Sequence, residues 1–265
     1  MRVPPALLLS FAASIWLASS AAVHASDNRV DSLVQRFISA VSHAPVWPKQ
    51  LNTVSAANIA KWKVPVHVGY DGYIPDNGKS LSWQGEFLFG GIPYLSKLTG
   101  IPVRLSTSSK PLDINLDIFI NTPSEIGRRM ILLGDPAQAA MTAAKDIVCA
   151  FDASEIGGHR RRPMFIYINR AVDYPVLHHC MMGSVIAALG LPGIFAEPQR
   201  SFDKIDGEPI LELSVDRQIL IRTLYDPRIQ NGMAVSDAVE LAKTIIPELV
   251  QAVNERGITA LHQGQ

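Results

Sequence analysis

The spacing of apolar residues along the chain predicts a protein richer in helix than in strand. In residues 29–43 the apolar side chains recur every three or four positions, which is typical of a helix with one buried face. We interpret this helix as packed on the main domain, with a partner-binding helix as the alternative. Helical character also marks the segments Ser80–Leu98, Tyr174–Gly193, 213–227 and Ala234–Val253. We expect Pro247 to interrupt the last of these helices.

Strands are predicted where short apolar runs or alternating apolar and polar residues occur. They lie at Trp62–Gly72, 102–107, 113–120, 147–151 and 164–169. In the third segment, isoleucines and a leucine alternate with polar residues, which predicts one buried face and one solvated face. Asp113 and Asp117 are therefore interpreted as solvated positions, and a carboxylate pair for acid–base chemistry is the alternative.

The order of these elements indicates the fold class. Residues 122–147 are predicted to be helical from a capping box at Thr122 and Glu125, and residues 194–212 are predicted to be a loop. Alternation of helices and strands around one long apolar helix is typical of an α+β domain, with a mixed sheet packed on that central helix. The main domain is assigned to residues 60–233, an N-terminal helix and linker to 26–59, and a C-terminal helix and tail to 234–265.

The net charge and the N-terminal residues indicate the partners and the cellular location of the protein. The chain has 24 basic and 24 acidic residues, so we expect no electrostatic attraction to nucleic acid. Arg2 precedes an apolar run, and Val23-His24-Ala25 places small residues where a signal peptidase needs them. Residues 1–25 are predicted to be a signal peptide, with an uncleaved anchor as the alternative. The mature protein is then expected in the periplasm or outside the cell, with no membrane span.

If the protein is exported, the bonding state of its two cysteines, Cys149 and Cys180, can be predicted. In an oxidising compartment an even pair is most simply a disulfide, and a pair of metal-ligating thiols is the alternative.

The basic segment Arg160, Arg161 and Arg162 after His159 suggests a phosphate or nucleic-acid site. A solvated hairpin turn is favoured there, because no aromatic residues are interleaved for base stacking.

Three blocks of the chain resemble the domain-of-unknown-function 2927 family of exported bacterial proteins. They are the strand led by Trp62 with the helix ending at Gly100, the Cys149 strand with the segment after it as far as His179-Cys180, and the Leu189-Gly190-Leu191 helix end with the later LYDPRIQNGM. Together they cover most of residues 60–235, and LYDPRIQNGM is the most specific of them. Members of that family usually carry Glu-Glu-x-x-Gln-x-Leu-Gly-Leu-x-Asn-Asp after the cysteine. This chain departs from that pattern at every polar position, with Gly183-Ser184, Ala187 and Gly193-Ile194.

The family pattern in turn resembles the metzincin zinc-protease helix, His-Glu-x-x-His-x-x-Gly-x-x-His. On this alignment the glycine falls on Gly190, the general base on Ser184, and the three zinc ligands on Gly183, Ala187 and Gly193. Glycine and alanine have no donor atom for zinc, whereas a catalytic zinc site needs three protein ligands. Serine cannot replace a carboxylate base near neutral pH. The resemblance therefore implies a zincin-like fold without catalytic residues, bound metal or cofactor.

Histidines are the remaining candidates for chemistry. His178 and His179 are adjacent, so on a helix they point about 100° apart and cannot hold one ion from a single face. One of them could pair with His159 across the predicted disulfide, although we favour a packed or exposed histidine at each position. Ser184 lacks the G-x-S-x-G surroundings of a serine nucleophile.

Two functions from different classes remain open on the sequence. We expect a non-catalytic protein of the cell envelope, whose vestigial cleft binds a peptide, a glycan or a partner protein. The alternative is a hydrolase of non-zincin mechanism that uses the same cleft, with groups such as Asp152, Glu155 and the three histidines.

Overall fold

The helices and strands come from a computed structural model that describes part of the chain. The described residues are 28–42, 57–72, 91–106, 114–132, 149–151, 164–170, 174–193, 204–205, 208–209 and 213–263. In chain order the elements are α1 (residues 28–42), β1 (Val66–Gly72), α2 (Ile92–Thr99), β2 (Val103–Leu105), β3 (Leu116–Asn121), α3 (Pro123–Leu132), β4 (Cys149–Phe151), β5 (Met164–Asn169), α4 (Tyr174–Ala188), β6 (Lys204–Ile205), β7 (Glu208–Pro209), α5 (Val215–Leu224), α6 (Val235–Arg256) and a 3₁₀ helix (Ile258–Leu261).

Five strands form one mixed sheet in the order β2-β1-β3-β5-β4. The first four of these run parallel, and β4 at the edge is antiparallel to β5. The central helix α4 lies against β4 and β5. The predicted α+β class with a mixed sheet and a central helix is therefore confirmed, and β5 has the predicted bounds.

The apolar core lies on the sheet face that carries α4. Alternate residues of the strands, such as Ile118 in β3 and Ile166 in β5, point into it. Phe37 of α1 and Ile245 of α6 belong to the same apolar cluster and are fully buried. The prediction that the N-terminal helix packs on the main domain is confirmed. No helix among the described residues is long and apolar enough to span a membrane.

Ion pairs fix α1 in place beside this core. Asp216, in the first turn of α5, accepts a hydrogen bond from Arg29 at 2.9 Å and another from Arg36 at 3.0 Å. A carboxylate in the first turn also interacts favourably with the α5 helix dipole. The start of α5 is capped by Ser214, whose side chain accepts from the backbone N–H of Arg217.

The prediction of a half-solvated strand at residues 113–120 is wrong for β3. β3 lies between β1 and β5 in the middle of the parallel sheet, so both of its faces are covered. Asp117 is only 7% exposed rather than solvated. Asp113 lies outside the described residues. The polar residues that alternate along the strand were interpreted as facing water, whereas Asp117 is buried against charged and aromatic neighbours.

Pro247 does not interrupt the last helix, because α6 runs unbroken from Val235 to Arg256. A proline costs a helix one backbone hydrogen bond, but Ile245, Ile246 and Val250 around it are held in the core.

The predicted loop 194–212 contains the short antiparallel pair β6–β7. Asp-Gly between those two strands is a hairpin turn signal that the apolar pattern did not use.

The first strand begins at Val66, four residues later than predicted, since the preceding segment has other partners. The backbone of Ile59 pairs with Met233 and Gly232 at 2.7 Å each. Trp62 donates its indole N–H to the carbonyl of Ala188 at 2.8 Å. Of the helix predicted over Ser80–Leu98, the structure describes the end, α2, and residues 73–90 lie outside the described part.

The end of the central helix is the point where distant segments meet, and we call it the helix-end junction (Ala60, Trp62, Ala188, Leu189, Gly190 and Tyr225). The last carbonyls of a helix have no partner within it. Here Trp62 binds the Ala188 carbonyl, and the Tyr225 hydroxyl donates to the Leu189 carbonyl at 2.7 Å. Gly190 has a φ of +113°, and a Cβ there would lie 2.3 Å from the Ala60 carbonyl oxygen. The chain can turn at this point only with glycine.

Both cysteines lie on elements that are neighbours. Cys149 begins β4 and Cys180 lies in the middle of α4, which packs on β4. The structure describes the backbone of these two residues but not their side chains. The Cys149–Cys180 disulfide therefore stays a prediction.

Replacing Gly190 with alanine should destabilise the protein strongly. The substitution forces a strained φ and an overlap with the Ala60 backbone, which together should lower the free energy of unfolding by about 3 kcal/mol or more. Urea unfolding followed by circular dichroism measures it. Gly232→Ala is the matched control, because Gly232 also has a positive φ of +83° but nothing within 4 Å of its would-be Cβ. Equal losses for the two variants would contradict a close contact at the helix-end junction.

Candidate functional site

The positions that align with the metzincin zinc site lie in packed structure. Every residue from 181 to 193 is buried. Ala187 and Ser184 are both fully buried, and among the described residues the Ser184 hydroxyl has no hydrogen-bond partner. The residues at the three ligand positions offer no side-chain donor atom, so they do not fit a zinc ion. No group of three or more potential metal-ligating side chains occurs in the part of the chain that the structure describes.

The other predicted candidates fall on residues that the structure describes incompletely or not at all. His178 and His179 belong to α4 by their backbone, and their side chains are not described. His159, Arg160, Arg161 and Arg162 lie outside the described residues, as do Asp152 and Glu155. The structure therefore neither brings these side chains together nor separates them.

The LYDPRIQNGM segment has its polar groups engaged in the fold. Asp226 is buried and accepts hydrogen bonds from the backbone N–H of Arg228 at 3.0 Å and from its Nε at 2.8 Å. Burial alone would raise the pKa of Asp226, but the hydrogen bonds from Arg228 outweigh it and lower that pKa. Arg228 extends the contact to Glu248 on α6 at 2.6 Å. These ion pairs connect the end of α5 to α6.

Lys61 also binds the LYDPRIQNGM segment. Its ammonium donates to the carbonyls of Leu224, at 2.9 Å, and Asp226, at 3.3 Å, and its backbone N–H donates to Asn231 Oδ1 at 2.8 Å. A cation at the C-terminus of α5 is favoured by the helix dipole. Burial lowers the pKa of Lys61 to about 8, with the Asp226 carboxylate opposing that shift. This lysine therefore has a structural partner at each of its nitrogens.

A second cluster of charged groups, which the sequence did not reveal, lies on the sheet face opposite α4. We call it the Arg129 cluster (Asp71, Asp117, Phe119, Arg129 and Phe165). Arg129 of α3 donates to Asp71 at 2.7 Å and to Asp117 at 3.1 Å. Its guanidinium carbon lies 4.3 Å from the ring centre of Phe119 and 5.9 Å from that of Phe165. One cation is thus held by two carboxylates and by aromatic faces.

The start of α3 is fixed independently of Arg129. Glu125 Oε2 accepts from the backbone N–H of Thr122 at 3.1 Å, and the backbone N–H of Glu125 donates to the Thr122 hydroxyl at 3.4 Å. The predicted capping box is therefore confirmed. The hydrogen bonds from Thr122 lower the pKa of Glu125, because they favour its charged form.

Burial and two neighbouring charges act on the Asp117 carboxyl of the Arg129 cluster. Burial raises its pKa, the Arg129 guanidinium opposes that shift, and the neighbouring Asp71 carboxylate adds to it. Asp71 is mostly exposed, whereas the Asp117 side chain is nearly covered. The only sequence signal for this cluster is an acidic residue within an apolar central strand. The arrangement is suited to holding a planar cation rather than to proton transfer.

Replacing Arg129 with alanine should destabilise the protein in a pH-dependent way. The variant leaves the Asp117 carboxylate buried without its cation, which should lower the free energy of unfolding by about 2 kcal/mol at pH 7. Without Arg129 the pKa of Asp117 in the folded protein rises further above its ordinary value of 3.8. The folded state then binds the proton more tightly than the unfolded state, so the deficit is full above that raised pKa and shrinks as pH falls toward 3.8.

Chemical unfolding between pH 4 and 8 measures this effect. Arg128→Ala is the matched control, because Arg128 is an exposed neighbour on the same helix, and its loss should stay within about 0.5 kcal/mol. A deficit for Arg129→Ala that is independent of pH would rule out Asp117 as its cause.

Comparison with known proteins places these features in a family. The family model described as "Protein of unknown function (DUF2927)" matches residues 48–244. No curated protein and no solved structure matches the chain. The matched range includes Trp62, the central helix and the LYDPRIQNGM segment, which meet at the helix-end junction. The chain belongs to the DUF2927 family.

Proposed function

We propose that this protein is an exported, zincin-like protein of the cell envelope that binds a ligand without catalysing its hydrolysis. The observation that carries the proposal is the chemistry of the central helix. Its three ligand positions hold Gly183, Ala187 and Gly193, and its general-base position holds the buried Ser184. None of the four can bind zinc or activate a water molecule by the zincin mechanism.

The arrangement of elements supports a zincin-like ancestry. The strands of a mostly parallel sheet with one antiparallel edge strand precede the central helix in the chain, and a later helix, α5, contributes to the same apolar core. The chain begins its sheet with the strand, helix, strand, strand order that the metzincin resemblance implies, and α3, β4 and β5 come between that part and the central helix. The glycine that ends the metzincin helix has its counterpart in Gly190, whose positive φ turns the chain.

The ligand site of this proposal lies beside the central helix rather than on it, because residues 181–193 are buried. Strand β4 lies against α4 and is at one edge of the five-stranded sheet that the described residues form. An edge strand can add an extended peptide through backbone hydrogen bonds. A peptide or a partner protein that offers such a strand is the ligand that this geometry favours, and a glycan is the other ligand class.

Export rests on residues 1–25, which lie outside the described part of the chain. Their charged start, apolar run and small residues before Ser26 have the pattern of a signal peptide. We place the mature protein in the periplasm or outside the cell. A pair of cysteines fits that oxidising location.

Metal analysis of the purified mature protein tests the proposal. We expect less than about a tenth of a zinc ion per chain after dialysis, because the positions that hold zinc in metzincins offer no ligand. Stoichiometric zinc that survives dialysis would contradict the proposal.

The Ser184→Ala variant tests the buried hydroxyl of the central helix. It removes a buried hydroxyl that has no hydrogen-bond partner among the described residues and should raise the free energy of unfolding by about 1 kcal/mol.

A further inference from the structure

We infer that the Arg129 cluster is a recognition site for a guanidinium group, and that Arg129 occupies it as an intramolecular ligand which an external guanidinium can replace. The cluster lies on the sheet face opposite the central helix, since Phe119 and Phe165 belong to an apolar cluster separate from the main core. It is therefore independent of the ligand site proposed beside α4.

The walls of the site belong to three neighbouring strands of the sheet. In one row Asp71 of β1 is in register with Phe119 of β3, and Phe119 is in register with Tyr167 of β5. In the next row Asp117 of β3 stands beside Phe165 of β5. Side chains in these rows point to the same face of the sheet. Carboxylates and aromatic rings are thus placed by backbone pairing before any cation binds, which reduces the cost of ordering them on binding.

Aromatic packing keeps these walls rigid. Phe165 is stacked on Tyr167 with ring centres 5.9 Å apart, and Phe119 meets Tyr167 edge-on at 6.4 Å. All three rings are almost fully buried. The face of Phe119 is the one that the guanidinium covers, at 4.3 Å.

The absence of a side chain at Gly69 leaves space for the carboxylate of Asp117. Gly69 is in register with Asp117, and a Cβ at Gly69 would lie 2.8 Å from Asp117 Oδ1 and 2.7 Å from Ile114 Cγ2. Any side chain at this position would displace the carboxylate. The strand therefore leaves room for Asp117 beneath the cation.

The site is open on one side. The Asp71 side chain is 59% exposed, that of Arg129 is 32% exposed, and that of Asp117 only 11%. A cation that enters past Asp71 meets the aromatic rings and then the buried Asp117. Two carboxylates share the single positive charge of Arg129, so this pair of acids remains incompletely neutralised and attracts further cations.

The geometry selects guanidinium over ammonium. A guanidinium is planar, donates in two directions at once and stacks on aromatic rings, whereas an ammonium is a compact point charge with stronger hydration. Arg129 uses one terminal nitrogen for each carboxylate and places its guanidinium carbon 4.3 Å from the ring centre of Phe119. The chemical class of the ligand is therefore an alkylguanidinium, either a small molecule or the arginine side chain of a partner.

The present occupant can leave without unfolding its helix. The capping box at Thr122 and Glu125 fixes the start of α3 without any contact from Arg129. The Arg129 side chain is 32% exposed, and a long side chain with an exposed flank can turn into solvent by changes of rotamer. Exchange of Arg129 for an external guanidinium therefore requires movement of this one side chain.

Isothermal titration calorimetry with ethylguanidinium tests the inference on three forms of the full chain. We expect saturable binding to Arg129→Ala that is at least tenfold tighter than binding to the wild type, because the variant has an empty site. Arg128→Ala should behave as the wild type does. The double variant Asp117→Asn with Arg129→Ala should lose most of the gained affinity.

A second variant and a pair of peptides complete the test. Arg129→Gln, which retains a donor for Asp117, replaces the alanine variant if the latter does not fold. A capped Gly-Arg-Gly peptide, compared with ethylguanidinium, distinguishes a protein-borne arginine from a small ligand, and Gly-Lys-Gly should bind at least tenfold more weakly. Absence of saturable binding to both folded Arg129 variants would overturn the inference, as would equal binding by the Asp117→Asn double variant.

Discussion

Capping of the central helix by two distant side chains is the constraint on which the rest of the structure depends. The carbonyls of Ala188 and Leu189 lie at the end of a helix where every residue from 181 to 193 is buried, so water cannot satisfy them. Trp62 comes from the segment before the sheet, and Tyr225 follows α5. Correct placement of both is needed to bury the helix end, and this couples the sheet and the C-terminal helices to one point.

This constraint explains the most specific part of the family resemblance. Tyr225 caps the central helix, Asp226 and Arg228 connect α5 to α6, and Asn231 binds the backbone of Lys61. The LYDPRIQNGM segment thus has a structural role in every contact that the structure describes for these residues. Membership in the DUF2927 family therefore indicates architecture more directly than activity.

Local patterns predicted much of the architecture. The bounds of β5, the capping box of α3 and the end of the central helix just before Leu189-Gly190-Leu191 follow from residues that are neighbours in sequence. The burial of Asp117 could not be predicted in the same way, since it depends on β3 lying between two other strands. Arg129 lies twelve residues from Asp117, and only the packing of α3 on the sheet brings the two together. Pro247 was misjudged for a similar reason, because tertiary packing holds its helix.

The two faces of the sheet carry different parts of the proposed function. One face packs on the central helix, where a metzincin would hold zinc and this chain has small or apolar residues. The other face carries the Arg129 cluster, which includes Asp117, a carboxylate that the sequence pattern assigned to solvent.

A double-mutant cycle at the helix-end junction tests the central claim most directly. The free energy of unfolding would be measured in urea for Trp62→Phe, for Tyr225→Phe and for the double variant. Each single change leaves a buried carbonyl unpaired, so we predict a loss of about 2 kcal/mol for each. The double variant should lose less than the sum, because the two caps support the same helix end. Single variants that stay within about 0.5 kcal/mol of the wild type would contradict the claim that this junction holds the fold together.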